Sequence, residues 1–153
     1  MTVADDFREL RARTDRVDPR ELDALWGRLA PVTVDELAGG RWRGFGFDTG
    51  HPMYGRLVGS RWYGKDFTSP TDAQPLLRRD EQGEVFSDLE TGRGAASLWM
   101  VQFRGESTAT MVYDGLPVFD HFKRVDAGTV MGIMNGKGTL SGGEHFYFGL
   151  GRE

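Results

Sequence analysis

The chain has 153 residues, 39% of them hydrophobic and 27% charged, with a formal net charge of −4. That size and mixture suit one soluble globular domain with its own core and exclude a disordered or fibrous chain. The acidic balance offers nucleic acid no broad basic field, and the lack of cysteine excludes disulfides, thiolate zinc sites and cysteine nucleophiles.

The opening stretch MTVADDFRELRARTD is charged throughout and has no apolar run. It reads as neither a secretory signal nor a membrane span, so the expected location is cytoplasmic. Residues 1–17 are expected to form an arm or a helix over 7–16, and residues 18–153 a single domain. In DPRELDALWGRL, Asp18 can cap a helix, Pro19 suits its first turn, and Glu21 can close a capping box. Leu22, Leu25, Trp26 and Leu29 then form one apolar stripe at helical spacing. Thr33 and Glu36 predict a second box at the start of a short helix, which Gly39 and Gly40 end.

Residues 40–46, GRWRGFG, read as a strand. Trp42, Gly44 and Gly46 share one face, and Arg41, Arg43 and Phe45 the other. An indole must bury its apolar area while its N–H finds a partner. Trp42 is therefore expected to floor a barrel, with Gly44 leaving room beside it. Arg152, on the last strand, is the candidate to stack on the indole. Tyr54, Leu57, Val58 and Trp62 have helical spacing and predict a short helix near 53–61. Arg56, Arg61 and Lys65 would form a basic cluster around it, suited to a carboxylate or phosphate head group.

From residue 75 onward the pattern is β. PLLRR and EVF flank the turn DEQG, and ASLWMVQF and ESTATMVY flank Arg104-Gly105. PVFDHFKRV follows the Asp114-Gly115 turn, TVMGIM leads into NGKG, and EHFYFGLGR closes the chain. The expected fold is mainly β: a small antiparallel barrel with one or two N-terminal helices, closed so that no edge is left unpaired. Aromatic residues and methionines are plentiful for so small a core. They either fill the barrel or line a cavity.

The segment GRWRG, residues 40–44, resembles the signature of the GXWXG family, supported by His51-Pro52 and WYGKDF at 62–67. STATMVYD (107–114), Pro117 with DHFKRVD (120–126), TVMGIMNGKG (129–138) and FYFGL with Arg152 are similar to the DUF4334 domain that accompanies that signature. The resemblance spans roughly residues 20–153 and implies a lipocalin-like or fatty-acid-binding-like barrel without a defined activity. Residues 40–46 are also similar to the first strand of the haem-binding nitrobindin group. That likeness implies haem as an alternative cofactor, with His145 as its ligand.

Three functional expectations follow. The first is a carrier of a small hydrophobic molecule, such as a fatty acid or related lipid, with no cofactor or metal. Its contacts would come from Trp42, Arg56, Arg61, Trp62, Tyr63 and Lys65, and from Trp99, Phe103, Met111, Tyr113, Phe122 and Met134. The second is a proton-transfer enzyme, an isomerase or hydratase, working through Asp114, Asp120 and His121. Strand alternation counts against it, because Asp120 and Phe122 share one face while His121 and Lys123 share the other. The third is the haem barrel on His145. No nucleic-acid partner and no membrane span are expected, and a homodimer is left open, as is an interaction module with an exposed apolar patch.

Overall fold

Thr2 starts the first helix, α1 (Val3–Ala12). Its hydroxyl accepts from the Asp5 backbone, and the Asp5 carboxylate accepts from Thr2 N–H in return. That capping box sets the start earlier than the 7–16 read from sequence. The computed structural model describes residues 1–153. Asp18 caps α2 (Pro19–Arg28), with Pro19 in its first turn and Leu22, Leu25 and Trp26 buried. Glu21 does not close a box there; it pairs with Arg13 at 2.7 Å. After β1 (Ala30–Pro31), Thr33 and Glu36 do form the expected box at the start of α3 (Val34–Leu37).

The remaining elements are β2 (Gly40–Gly46), α4 (Pro52–Gly59), β3 (Trp62–Ser69), β4 (Asp72–Arg79), β5 (Val85–Ser87), β6 (Ala96–Phe103), β7 (Glu106–Tyr113), β8 (Val118–Asp126), β9 (Thr129–Gly136) and β10 (Phe146–Arg152). Strands β2, β3, β4, β6, β7, β8, β9 and β10 pair antiparallel in chain order, and β10 closes on β2 to make an up-and-down barrel. Closure of this kind removes the sheet edges. β5 pairs outside the ring with β4, and β1 with β8. The thinnest seam lies between β4 and β6, which share one pair, Ala73 with Ala96. The connecting turn runs beside that seam, tied by Asp88 N–H to Leu76 and by Asp114 N–H to Ala95.

Two apolar cores lie on the two faces of this wall. Inside, Trp42, Phe67, Leu98, Ala109, Met111 and Phe122 pack together at one end, under Leu37 of α3. Outside, Phe7 of α1 and Leu22, Leu25 and Trp26 of α2 cover Phe47, Val125, Met131, Ile133 and Tyr147. Strands β8, β9 and β10, which lie under the helices, thus alternate between two buried faces, and their buried polar residues Asp120, His121 and Lys123 are all tied down. The outer face of β6, by contrast, is open, with Trp99 and Met100 exposed.

His121 belongs to the outer layer. Its Nδ1 lies 2.9 Å from Thr110 Oγ1 and its Nε2 3.1 Å from Asn135 Nδ2. The Phe103 ring stacks on it with centroids 4.0 Å apart. Burial, seconded by the charges of His145 and Arg104, pushes its pKa from 6.5 down to about 4. The unfolded chain therefore takes up a proton that the folded one refuses as pH falls below 6.5. Stability drops across that window by about 2 kcal/mol at pH 5, and the fall ends near pH 4 at a full cost on the order of 3 kcal/mol. Urea unfolding at pH 7 and pH 5 measures it. His121→Phe is expected to lose most of this pH slope; an unchanged slope would assign it elsewhere.

Candidate functional site

Trp42 closes one end of the barrel. Its Nε1 donates to Leu37 O at 3.1 Å, and the Arg152 guanidinium lies 4.3 Å from the indole centroid. Arg152 also donates to Glu36 O, tying the last strand to α3. Arg43, on the opposite face as alternation requires, stacks on the outward Tyr63 at 4.7 Å. The bare patch at Gly44 serves a different indole from the one expected. A Cβ there would sit 2.4 Å from the Trp62 ring, so Gly44 makes room for Trp62 rather than Trp42.

Beyond this floor the barrel is hollow. A cavity of about 380 Å³ is roofed by Met53 and Leu57 of α4 and walled by Trp62, Leu76, Tyr113, Leu116, Val118, Met134, Phe146 and Phe148. His51 caps α4, its Nδ1 accepting from Met53 N–H, while Nε2 lies 2.9 Å from Thr139 O. The helix is thus pinned across the open end of the barrel. A hollow of this size and composition suits a small apolar molecule.

One charged pair sits in the wall. Counting alternately from the inward Trp62 would send Lys65 outward. The pairing of β3 with β4 slips on either side of Gly64, and after the slip Lys65 stands opposite the inward Trp42. This bulge turns the lysine into the barrel. Gly64 is required because a Cβ there would lie 1.9 Å from Trp42 O. Inside, Lys65 Nζ is 3.0 Å from Asp120 Oδ2 and donates to Pro75 O at 3.0 Å. The two side chains are only 3% and 4% exposed. The ammonium also lies 5.5 Å from the Phe148 ring, 5.6 Å from Trp62 and 5.8 Å from Tyr113. Such faces favour a cation electrostatically.

Burial raises the Asp120 carboxyl above the usual carboxylate range, and the Lys65 charge and hydrogen bond only partly pull it back. Burial, with Asp120's charge second, holds the Tyr113 phenol well above its ordinary value, so it stays an O–H donor. No protein group hydrogen-bonds that hydroxyl. At the rim, Arg78 pairs with Asp88 at 2.5 Å and donates to Ser60 O at 2.8 Å. Burial would raise the Asp88 carboxyl, but the Thr91 and Arg78 hydrogen bonds outweigh it and leave its pKa lowered. Arg56 is exposed at the same rim.

The structure therefore sorts the sequence candidates. Arg56, Trp62, Lys65, Tyr113 and Met134 meet at the cavity. Trp42, Met111 and Phe122 belong to the packed floor. Tyr63, Trp99 and Phe103 do not line it: alternation puts them on the outer face, where Trp99 is 55% exposed. Arg61, at φ 57°, turns away to donate to Asp80 O, so the basic cluster around α4 does not form as a unit. The acid–base set is dispersed as well. Asp120 faces inward, His121 outward, and Asp114 is exposed in the β7–β8 turn. His145 is also outside, its Nδ1 2.9 Å from Met134 O and its ring edge-on to Phe103. No histidine lines the cavity, so the residues present do not fit a haem held there.

Met53, Leu57, Leu76, Leu116, Val118, Phe146 and Phe148 were not among the sequence candidates. For Phe146 and Phe148 the signal was present: FYF at the start of the last strand alternates, and its two phenylalanines share Leu150's inward face.

Two family models match the chain, the GXWXG protein over residues 24–83 and the domain of unknown function DUF4334 over residues 94–152. A crystal structure of a protein from Thermomonospora curvata is similar along the whole length. It is 38% identical, with 100% of this chain and 99% of that one covered, at a TM-score of 0.89. No curated protein matches. No helix is long and apolar enough to cross a membrane.

Proposed function

The chain belongs to the family that joins the GXWXG and DUF4334 domains, and from that premise we propose that it binds a small hydrophobic molecule, of fatty-acid or related lipid class, inside its barrel. The observation that carries this reading is the half-filled interior. Trp42, Phe67, Met111 and Phe122 pack one end solid, whereas Trp62, Met134, Phe146 and Phe148 surround open volume at the other. A barrel built only for stability would fill both ends, because unfilled apolar volume costs packing energy. The methionines Met53 and Met134 give the wall an adaptable shape.

An acid–base enzyme keeps one favourable observation, the inward Asp120. The outward His121 offers it no relay, and Lys65 already occupies one of its oxygens. Binding an apolar molecule draws on the apolar wall of the cavity and requires no second proton acceptor.

Native mass spectrometry of gently purified protein tests the proposal. An adduct of a small apolar compound is expected, or one is gained on adding medium-chain compounds. Bare protein throughout, with no thermal stabilisation by any compound, would overturn it.

A further inference from the structure

The polar groups of the cavity wall narrow the class of ligand, and this step rests on the carrier reading above. Lys65 Nζ has three N–H donors. Two are spent on Asp120 Oδ2 and Pro75 O. The third is left facing the Trp62, Tyr113 and Phe148 rings that bound the hollow. The Tyr113 hydroxyl is a further donor with no acceptor in the protein. The deep wall thus presents two unspent donors among apolar side chains.

Its charge, by contrast, is already balanced. Lys65 and Asp120 form a pair of net charge zero with both side chains almost wholly buried. A carboxylate brought alongside would stand as a second anion near Asp120 with only one lysine to share. An ammonium would repeat the problem against Lys65. Either would leave an uncompensated charge in a region of low dielectric, which is strongly unfavourable. A neutral oxygen acceptor meets both donors and adds no charge. Arg56 at the rim is exposed and could serve an anion, but only with the head group outward.

We propose that the buried end of the ligand is an uncharged carbonyl oxygen, as in an apolar ketone or aldehyde, received by the third Lys65 N–H and the Tyr113 hydroxyl. The apolar tail then runs toward α4 and the rim. A fatty acid is a poorer occupant of this orientation than a ketone of equal length.

Calorimetric titration of the intact protein at pH 7.5 with 2-decanone, decanoic acid and decane tests this. The ketone is expected to bind about 10-fold more tightly than the acid or the alkane. Tyr113→Phe, which keeps the ring, should weaken the ketone about 3- to 10-fold and leave decane unchanged. A structural role for Tyr113 would move both compounds together. Decanoic acid binding as tightly as the ketone, unaffected by Tyr113→Phe and lost in Arg56→Gln, would overturn the carbonyl assignment while sparing the carrier reading. No binding of any of the three would remove both.

Discussion

Replacing Lys65 by methionine is expected to destabilise the protein by about 3–5 kcal/mol at neutral pH, because it strands the Asp120 carboxylate in the barrel. Asp120→Leu strands the ammonium and should cost a similar amount. The double variant Lys65→Met/Asp120→Leu removes both charges and should recover most of the loss, since well-packed apolar side chains replace a buried pair at little net cost. The two groups are 3.0 Å apart, close enough for strong coupling. The pH dependence gives a second check. In Lys65→Met the carboxyl, already raised by burial, loses the charge that pulled it back. Its folded pKa then lies still further above its unfolded value of about 3.8. The protonated form fits the folded barrel best, so the deficit is smallest at acid pH and grows as pH rises through the folded pKa. Urea unfolding at pH 5 and pH 8 measures this directly. Additive single losses with no pH dependence would show that the pair does not act as a buried unit.

Gly64→Ala is expected to be among the most damaging methyl additions in the chain. The new Cβ would fall 1.9 Å from Trp42 O and 3.0 Å from its carbonyl carbon, both backbone atoms of the paired strand. Relief requires β2 and β3 to part, and β2 carries the floor. A loss of about 3 kcal/mol is expected, at the upper end for a forced overpacking. The bulge should straighten as well, which swings Lys65 out of the cavity. Ligand binding should therefore fall more than stability alone explains. Gly55→Ala in α4 is the contrasting change. Nothing lies within 4 Å of its Cβ, and the helix should gain about 0.5–1 kcal/mol. Thermal and urea unfolding compare the two. Equal tolerance of both would mean that the bulge does not depend on Gly64.

That bulge also explains what the sequence could and could not show. The alternation of β7 and β8 was legible, because both are regular and both faces carry clear apolar sets. It separated Asp120 from His121 correctly, and in the structure Ala109, Met111 and Tyr113 share the inner face of β7 as regular alternation requires. The stack of Arg152 on Trp42 followed from a buried indole facing the last strand of a closed barrel. Strand β3 was hidden. Gly64, Lys65 and Asp66 interrupt its apolar run, and simple alternation from Trp62 gives Lys65 the wrong face. The lysine therefore looked like a rim cation beside Arg56 and Arg61. Only the pairing of Trp42 with Lys65 shows it to be internal. The hollow itself had no sequence signature. Methionines and aromatics mark the packed floor and the open end alike, and which of them touch volume depends on where α4 crosses the barrel.

The same methionines allow the most direct test. All six in the chain can be labelled at their methyl groups and followed by NMR during titration with 2-decanone. Met53 and Met134 line the cavity, Met111 and Met131 are fully buried in the two cores, and Met1 and Met100 are exposed. Saturable shifts are expected at Met53 and Met134, with Met131 and Met100 unmoved. Shifts confined to exposed methyls, or none at any concentration up to solubility for the ketone, the acid and the alkane alike, would contradict a ligand-binding interior.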